Sequence, residues 1–173
     1  MIPEEICKEI EREFLSYVET KKFNPSNKYI KRLFKGREGG SYVEYVISFK
    51  YNKTSYIIKN IRYIDRKYDS HMGSYGNPVH KGKLKLITKY NLTDFFEIPV
   101  YYNILKNKDI IIIQRKLVST DCYSDDFFVQ QYEEMKDKIH KVYEKNKTLD
   151  IFDIHSGNVG YDPKNKKLKL YDW

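Results

Sequence analysis

With 40% hydrophobic and 16% aromatic side chains over 173 residues, and 17 tyrosines, the chain is too rich in core-forming residues to be disordered despite its 32% charge. That length suits one domain or two small lobes. A formal net charge of +8 favours phosphate-rich or otherwise anionic partners, but the lysines are dispersed rather than blocked, which argues against a dedicated nucleic-acid stripe.

The chain opens on an acidic, amphipathic stretch unlike a signal peptide. Ile6, Ile10, Phe14 and Val18 recur every four residues, which predicts a packing helix over 3–20 with Pro3 in its first turn. From Lys28 the pattern turns to strands. Tyr29–Phe34, Tyr42–Phe49 and Ser55–Ile61 are β-prone runs, joined by the glycine-rich Lys35–Ser41 and by a polar turn at Asn52–Thr54, and together they predict an antiparallel meander. Gly36, Gly39 and Gly40 would let backbone N–H groups approach a phosphate, although hairpins use glycine routinely. Lys59 sits in the apolar strand Tyr56-Ile-Ile-Lys59. Burial disfavours a charged amine, so such a lysine either finds an anion or faces solvent.

Arg62 to Gly82 reads as a long loop, and a helix is expected over 80–91 with Leu84, Ile87 and Tyr90 on its apolar face. Glu97–Leu105 and Ile110–Arg115 read as a second hairpin turning at Asn107-Lys-Asp109. The run of four isoleucines at 110–113 predicts a strand buried on both faces, and as the longest apolar run it is too short for a membrane span. Lys116–Cys122 is then a linker. Cys7 and Cys122 lie far apart with no C-x-x-C and no clustered His, so neither zinc nor a disulfide framework is indicated, and a reduced, cytoplasmic setting is expected. Phe128, Tyr132, Met135, Ile139 and Val142 mark one face of a helix that Asp125 or Asp126 can cap and that runs to about Lys147.

The last two dozen residues carry the chemistry. Asp153 stands five positions before Asn158 in Asp-Ile-His-Ser-Gly-Asn-Val-Gly, and a short apolar strand follows, ending on Asp172. Asp, Asn and Asp supply the hard oxygens that Mg²⁺ prefers when it also binds phosphate. Taken alone, the same residues also make ordinary turns.

This segment resembles the catalytic stretch of the protein-kinase-like superfamily, in the D-x-H-x-x-N form of its aminoglycoside-phosphotransferase-like branch. The resemblance implies an α+β fold, with an antiparallel β-sheet N-lobe over 21–115 after the 1–20 helix and a reduced helical C-lobe over 116–173. It implies ATP with Mg²⁺ as the ligands, Asp153 as catalytic base, and Asn158 and Asp172 on the metal. Gly36, Gly39, Gly40 and Lys59 would lie on the phosphates. The acceptor would be a hydroxyl of a protein or small molecule, in the cytoplasm, or in the host cytoplasm for a phage or viral version. The chain departs from the family pattern in three places. Ile151 replaces the usual His, no Glu occurs between Glu44 and Glu97 to pair with the strand lysine, and no activation segment or A-P-E follows Asp172. Two other readings therefore stand beside the enzyme: an inactive, pseudokinase-like interaction or inhibitor protein, and a basic nucleic-acid-binding protein.

Overall fold

Glu4–Thr20 is a helix, α1, with Glu4 and Glu5 in the first turn, where the helix dipole favours negative charge. It follows directly on Pro3 and ends at Lys21, whose left-handed backbone (φ 56°) lets its N–H donate to the Tyr17 carbonyl at 2.8 Å. The computed structural model describes residues 2–22, 28–29, 43–61, 79–120, 126–145 and 156–171. Outside these lie most of the expected strand at 29–34, the glycines at 36, 39 and 40, the loop from Arg62 to Pro78, Cys122, Asp153, His155 and Asp172. Packing divides the chain into two compact units, Met1–Tyr68 with Pro99–Lys116, and Asp69–Ile98 with Leu117–Trp173. The stretch 69–98 thus groups with the C-terminal segment, whereas the lobes read from the sequence were contiguous.

The first unit is built on four antiparallel strands. Val43–Tyr51 (β1) and Thr54–Ile61 (β2) are joined by Asn52 and Lys53, both at positive φ (46° and 64°), the geometry of a tight two-residue hairpin turn. Tyr101–Ile104 (β3) and Ile110–Arg115 (β4) form the second hairpin, and the sheet order is β1-β2-β4-β3. Strand β4 therefore has a neighbour on each side, and Ile110 to Ile113 are at most 2% exposed, as the isoleucine run predicts. Alternation sends Ile47, Phe49, Tyr56, Ile58, Ile111 and Ile113 into one cluster with Cys7, Ile10 and Phe14 of α1. Ile61, Ile110 and Ile112 cluster separately, with Tyr102 against them.

One carboxylate lies inside the α1 seam, and the sequence pattern did not mark it. Glu11 is buried, accepting hydrogen bonds from the Tyr101 hydroxyl and, at 2.7 Å, from the Asn103 amide of β3. Those two donors satisfy both of its oxygens, which a buried acid requires. Burial, and then the bond to Glu11, pushes the Tyr101 phenol upward. Cys7 beside it is a packing thiol, pushed up to about 11 by burial first and then by Glu4 and Glu5.

In the second unit Val79–Lys89 is a helix, α2, ended by Asn91 in the left-handed region (φ 55°). Asn91 donates its N–H to Thr88 at 3.2 Å and Leu92 donates to Ile87 at 2.8 Å, which together make a Schellman cap. Ile87 and Leu92 join Phe96 in a core with Met135 and Ile139 of Asp126–Lys145 (α3). Val118–Ser119 (β5), Val159–Asp162 (β6) and Lys167–Leu170 (β7) form a three-stranded antiparallel sheet against that core. Strand β5 falls in the expected linker; its two residues were too few to show a period. Mixed helices and two antiparallel sheets make the described residues α+β.

Candidate functional site

Lys59 stands in β2, in register with Val46 of β1 and Ile112 of β4. At 3% exposure it does not project into solvent, contrary to the solvent-facing alternative. It is placed there by strand alternation: Ile58 before it faces the α1 seam, so Lys59 takes the opposite side of the sheet. Gly36, Gly39 and Gly40, the expected phosphate loop, lie outside the described residues.

The C-terminal hairpin is built around Asn158. A single 3-10 turn, Ser156–Asn158, leads into β6, and the β6–β7 turn returns the chain beside it. Buried Asp162 fixes that turn, accepting from the Lys164 N–H at 3.1 Å and the Asn165 amide at 2.7 Å. Gln131 of α3 holds it from outside, accepting the Leu168 N–H at 2.9 Å and donating to the Lys166 carbonyl at 3.3 Å. Thr120, just after β5, donates its hydroxyl to the Val159 carbonyl at 3.2 Å.

The hairpin closes at its open end between Asn158 and Tyr171. Tyr171 donates its N–H to the Asn158 carbonyl at 3.0 Å and its hydroxyl to the Gly157 carbonyl at 2.7 Å. Asp172 follows Tyr171 directly in the chain, and Asp153 precedes the 3-10 turn; both lie outside the described residues. Neither Gly157 nor Tyr171 was singled out by sequence reasoning. The signal was two glycines, Gly157 and Gly160, bracketing Asn158-Val159 in an otherwise β-prone run.

Two of the described acids face lysines of β7. Glu97, the first Glu after Glu44, is buried and faces Lys169 of β7 at 3.8 Å, while its N–H donates to the Leu170 carbonyl at 2.8 Å. Asp94 is exposed and held below the ordinary carboxylate range by its hydrogen bond with Lys167. Helix α2, Val79–Lys89, contains no acidic residue. Among the described residues no group of three or more His, Cys, Asp or Glu is placed to hold a metal. The sequence-derived metal pair is Asn158 with Asp172, and its carboxylate, Asp172, lies outside the described residues. In donor chemistry it suits Mg²⁺, being all carboxylate and amide oxygen with no thiolate.

No protein-family model matches the chain, and no curated protein matches it. Among the described residues no helix is long and apolar enough to cross a membrane.

Proposed function

We propose that this chain is a kinase-like protein that binds ATP with Mg²⁺ and transfers the terminal phosphoryl group to a hydroxyl of a protein or small molecule. One observation carries the reading: the closure of the hairpin between Asn158 and Tyr171, with bonds of 3.0 and 2.7 Å, ties the loop residue of the motif to the strand end that leads into Asp172. A D-x-x-x-x-N loop and a strand-end Asp serve one metal only when their chain segments run side by side. Lys59 adds support as an inward lysine on an apolar strand.

In this reading Gly36, Gly39, Gly40 and Lys59 hold the phosphates, while Asn158 and Asp172 hold the cation. Bound there, Mg²⁺ would neutralise charge on the phosphate oxygens. Asp153 accepts the proton of the acceptor hydroxyl as its oxygen bonds to the γ-phosphorus. The bond from phosphorus to the bridging oxygen breaks, and ADP leaves with that electron pair. Little covalent work falls to the protein, so positioning and charge neutralisation account for most of the rate.

A second reading, binding without turnover, is favoured by one specific feature. Helix α2 contains no acidic residue, so it supplies no carboxylate of the kind that orients the strand lysine in the resembled family. Incubation with ATP, Mg²⁺ and a panel of hydroxyl acceptors separates the two. ADP formation lost in Asp153→Ala with ATP binding retained identifies the enzyme. Mg²⁺-dependent ATP binding without ADP formation identifies the binding protein, and absence of ATP binding rejects both.

A further inference from the structure

Backbone pairing alone does not explain the contacts of Tyr171. Its N–H bond to Asn158 extends the β6–β7 ladder by one step, and almost any residue there makes it. The hydroxyl bond is different, reaching back 14 residues to the carbonyl of Gly157 in the turn before β6. The ring is seated as well. A Cβ on Gly160 would lie 2.5 Å from Leu117 Cβ and 3.3 Å from Tyr171 Cδ1, so Leu117 is what requires a glycine there, and the ring of Tyr171 lies close beside it. Ring, hydroxyl and N–H thus fasten Tyr171 to three successive parts of one segment: Gly160, Gly157 and Asn158.

We infer that Tyr171 is a positioning residue that locks the Asn158 loop to the strand end leading into Asp172, and so sets how readily the chain takes up a divalent cation with ATP. The inference rests on the reading above. Ligands held in place before binding need not be ordered by the metal, so releasing one fastening lowers metal affinity while leaving the ligands themselves unchanged. Tyr171→Phe keeps the ring on Gly160 and the backbone bond but removes the hydroxyl contact. Loss of one hydrogen bond, with a net value of about 0.5–1.5 kcal/mol, corresponds to a change of roughly two- to tenfold in an equilibrium constant.

The test is a Mg²⁺ titration of the full chain at fixed ATP, read by thermal stability, for the natural chain and Tyr171→Phe. The expected result is a half-saturating Mg²⁺ concentration raised about two- to tenfold in the variant, with the melting temperature in ATP alone shifted no more than in buffer. An unchanged Mg²⁺ midpoint in a natural chain that does bind ATP with Mg²⁺ overturns the clamp and leaves the proposed function standing. Absence of any Mg²⁺-dependent stabilisation in the natural chain overturns the proposed function, and the clamp with it. Equal loss of stability with and without Mg²⁺ overturns the clamp in favour of a packing role. Should Tyr171→Phe fail to fold, amide exchange in the natural chain decides. A Tyr171 N–H already protected before Mg²⁺ is added, as a closure formed in advance requires, supports the clamp, and one that exchanges as fast as an unbonded amide overturns it.

Discussion

The two sheets are held by different physics. The first, β1-β2-β4-β3, is fastened by burial: Ile47, Ile58, Ile111 and Ile113 meet Ile10 and Phe14 at no more than 1% exposure. The second, β5-β6-β7, has strands of two to four residues and leans on side chains that grip backbone: Asp162, Gln131, Thr120 and Tyr171. Burial is non-directional and tolerates small shifts, whereas hydrogen bonds fix distance and angle. Asn158 stands in the turn that leads into the second sheet, and the buried Lys59 in a strand of the first.

The largest expected effect tests the burial side of this contrast. Phe14→Ala removes a fully buried ring from the α1 seam and should cost about 3–5 kcal/mol in urea unfolding; a loss below about 1 kcal/mol would mean that the seam contributes little. On the other side, Gly160→Ala places a methyl against Leu117 Cβ at 2.5 Å, an atom fixed to the backbone that cannot swing away. The expected cost is about 1–3 kcal/mol, with the Mg²⁺ response disturbed as well; a neutral result would show that the strands separate easily.

Tyr101→Phe sharpens the comparison, because it removes a polar fastening from the burial-dominated unit. It should cost about 0.5–1.5 kcal/mol near neutral pH. The phenol is raised in the folded chain by burial and by Glu11, so the stability it adds is complete below its ordinary value of 10.0 and drains away as pH climbs past that towards the raised one. Unfolding followed across alkaline pH should therefore fall more steeply in the natural chain than in the variant. Smallest is Lys53→Gly in the β1–β2 turn. Relief of a left-handed lysine at φ 64° should add about 1 kcal/mol, seen as a higher melting temperature, and a decrease would mean that the lysine side chain matters to the turn.

Much of the fold was legible in the residues. The four-residue recurrence of Ile6, Ile10, Phe14 and Val18 marks α1, the isoleucine run marks the central strand, and Met135 with Ile139 marks the buried face of α3. These are periodic signals generated by one continuous face. What was hidden depends on partners distant in sequence. Glu11 reads as a surface residue of the helix until Tyr101 and Asn103 arrive from β3, and Val118–Ser119 shows no period because two residues cannot. The grouping of 69–98 with the C-terminal stretch is a tertiary fact with no local signature. At the candidate site, residue types and spacing marked Lys59, Asn158 and Asp172 but not Tyr171, since a hydroxyl reaching the Gly157 carbonyl leaves no pattern in the chain.

Calorimetric titration of ATP into the full chain with Mg²⁺, repeated for Lys59→Met and Asp172→Ala, tests the central claim most directly. The account predicts saturable binding that falls about tenfold or more in each variant, in line with loss of a charge-assisted contact of about 1.5–3 kcal/mol. Absence of binding at millimolar ATP, or variants that bind as tightly as the natural chain, would contradict it.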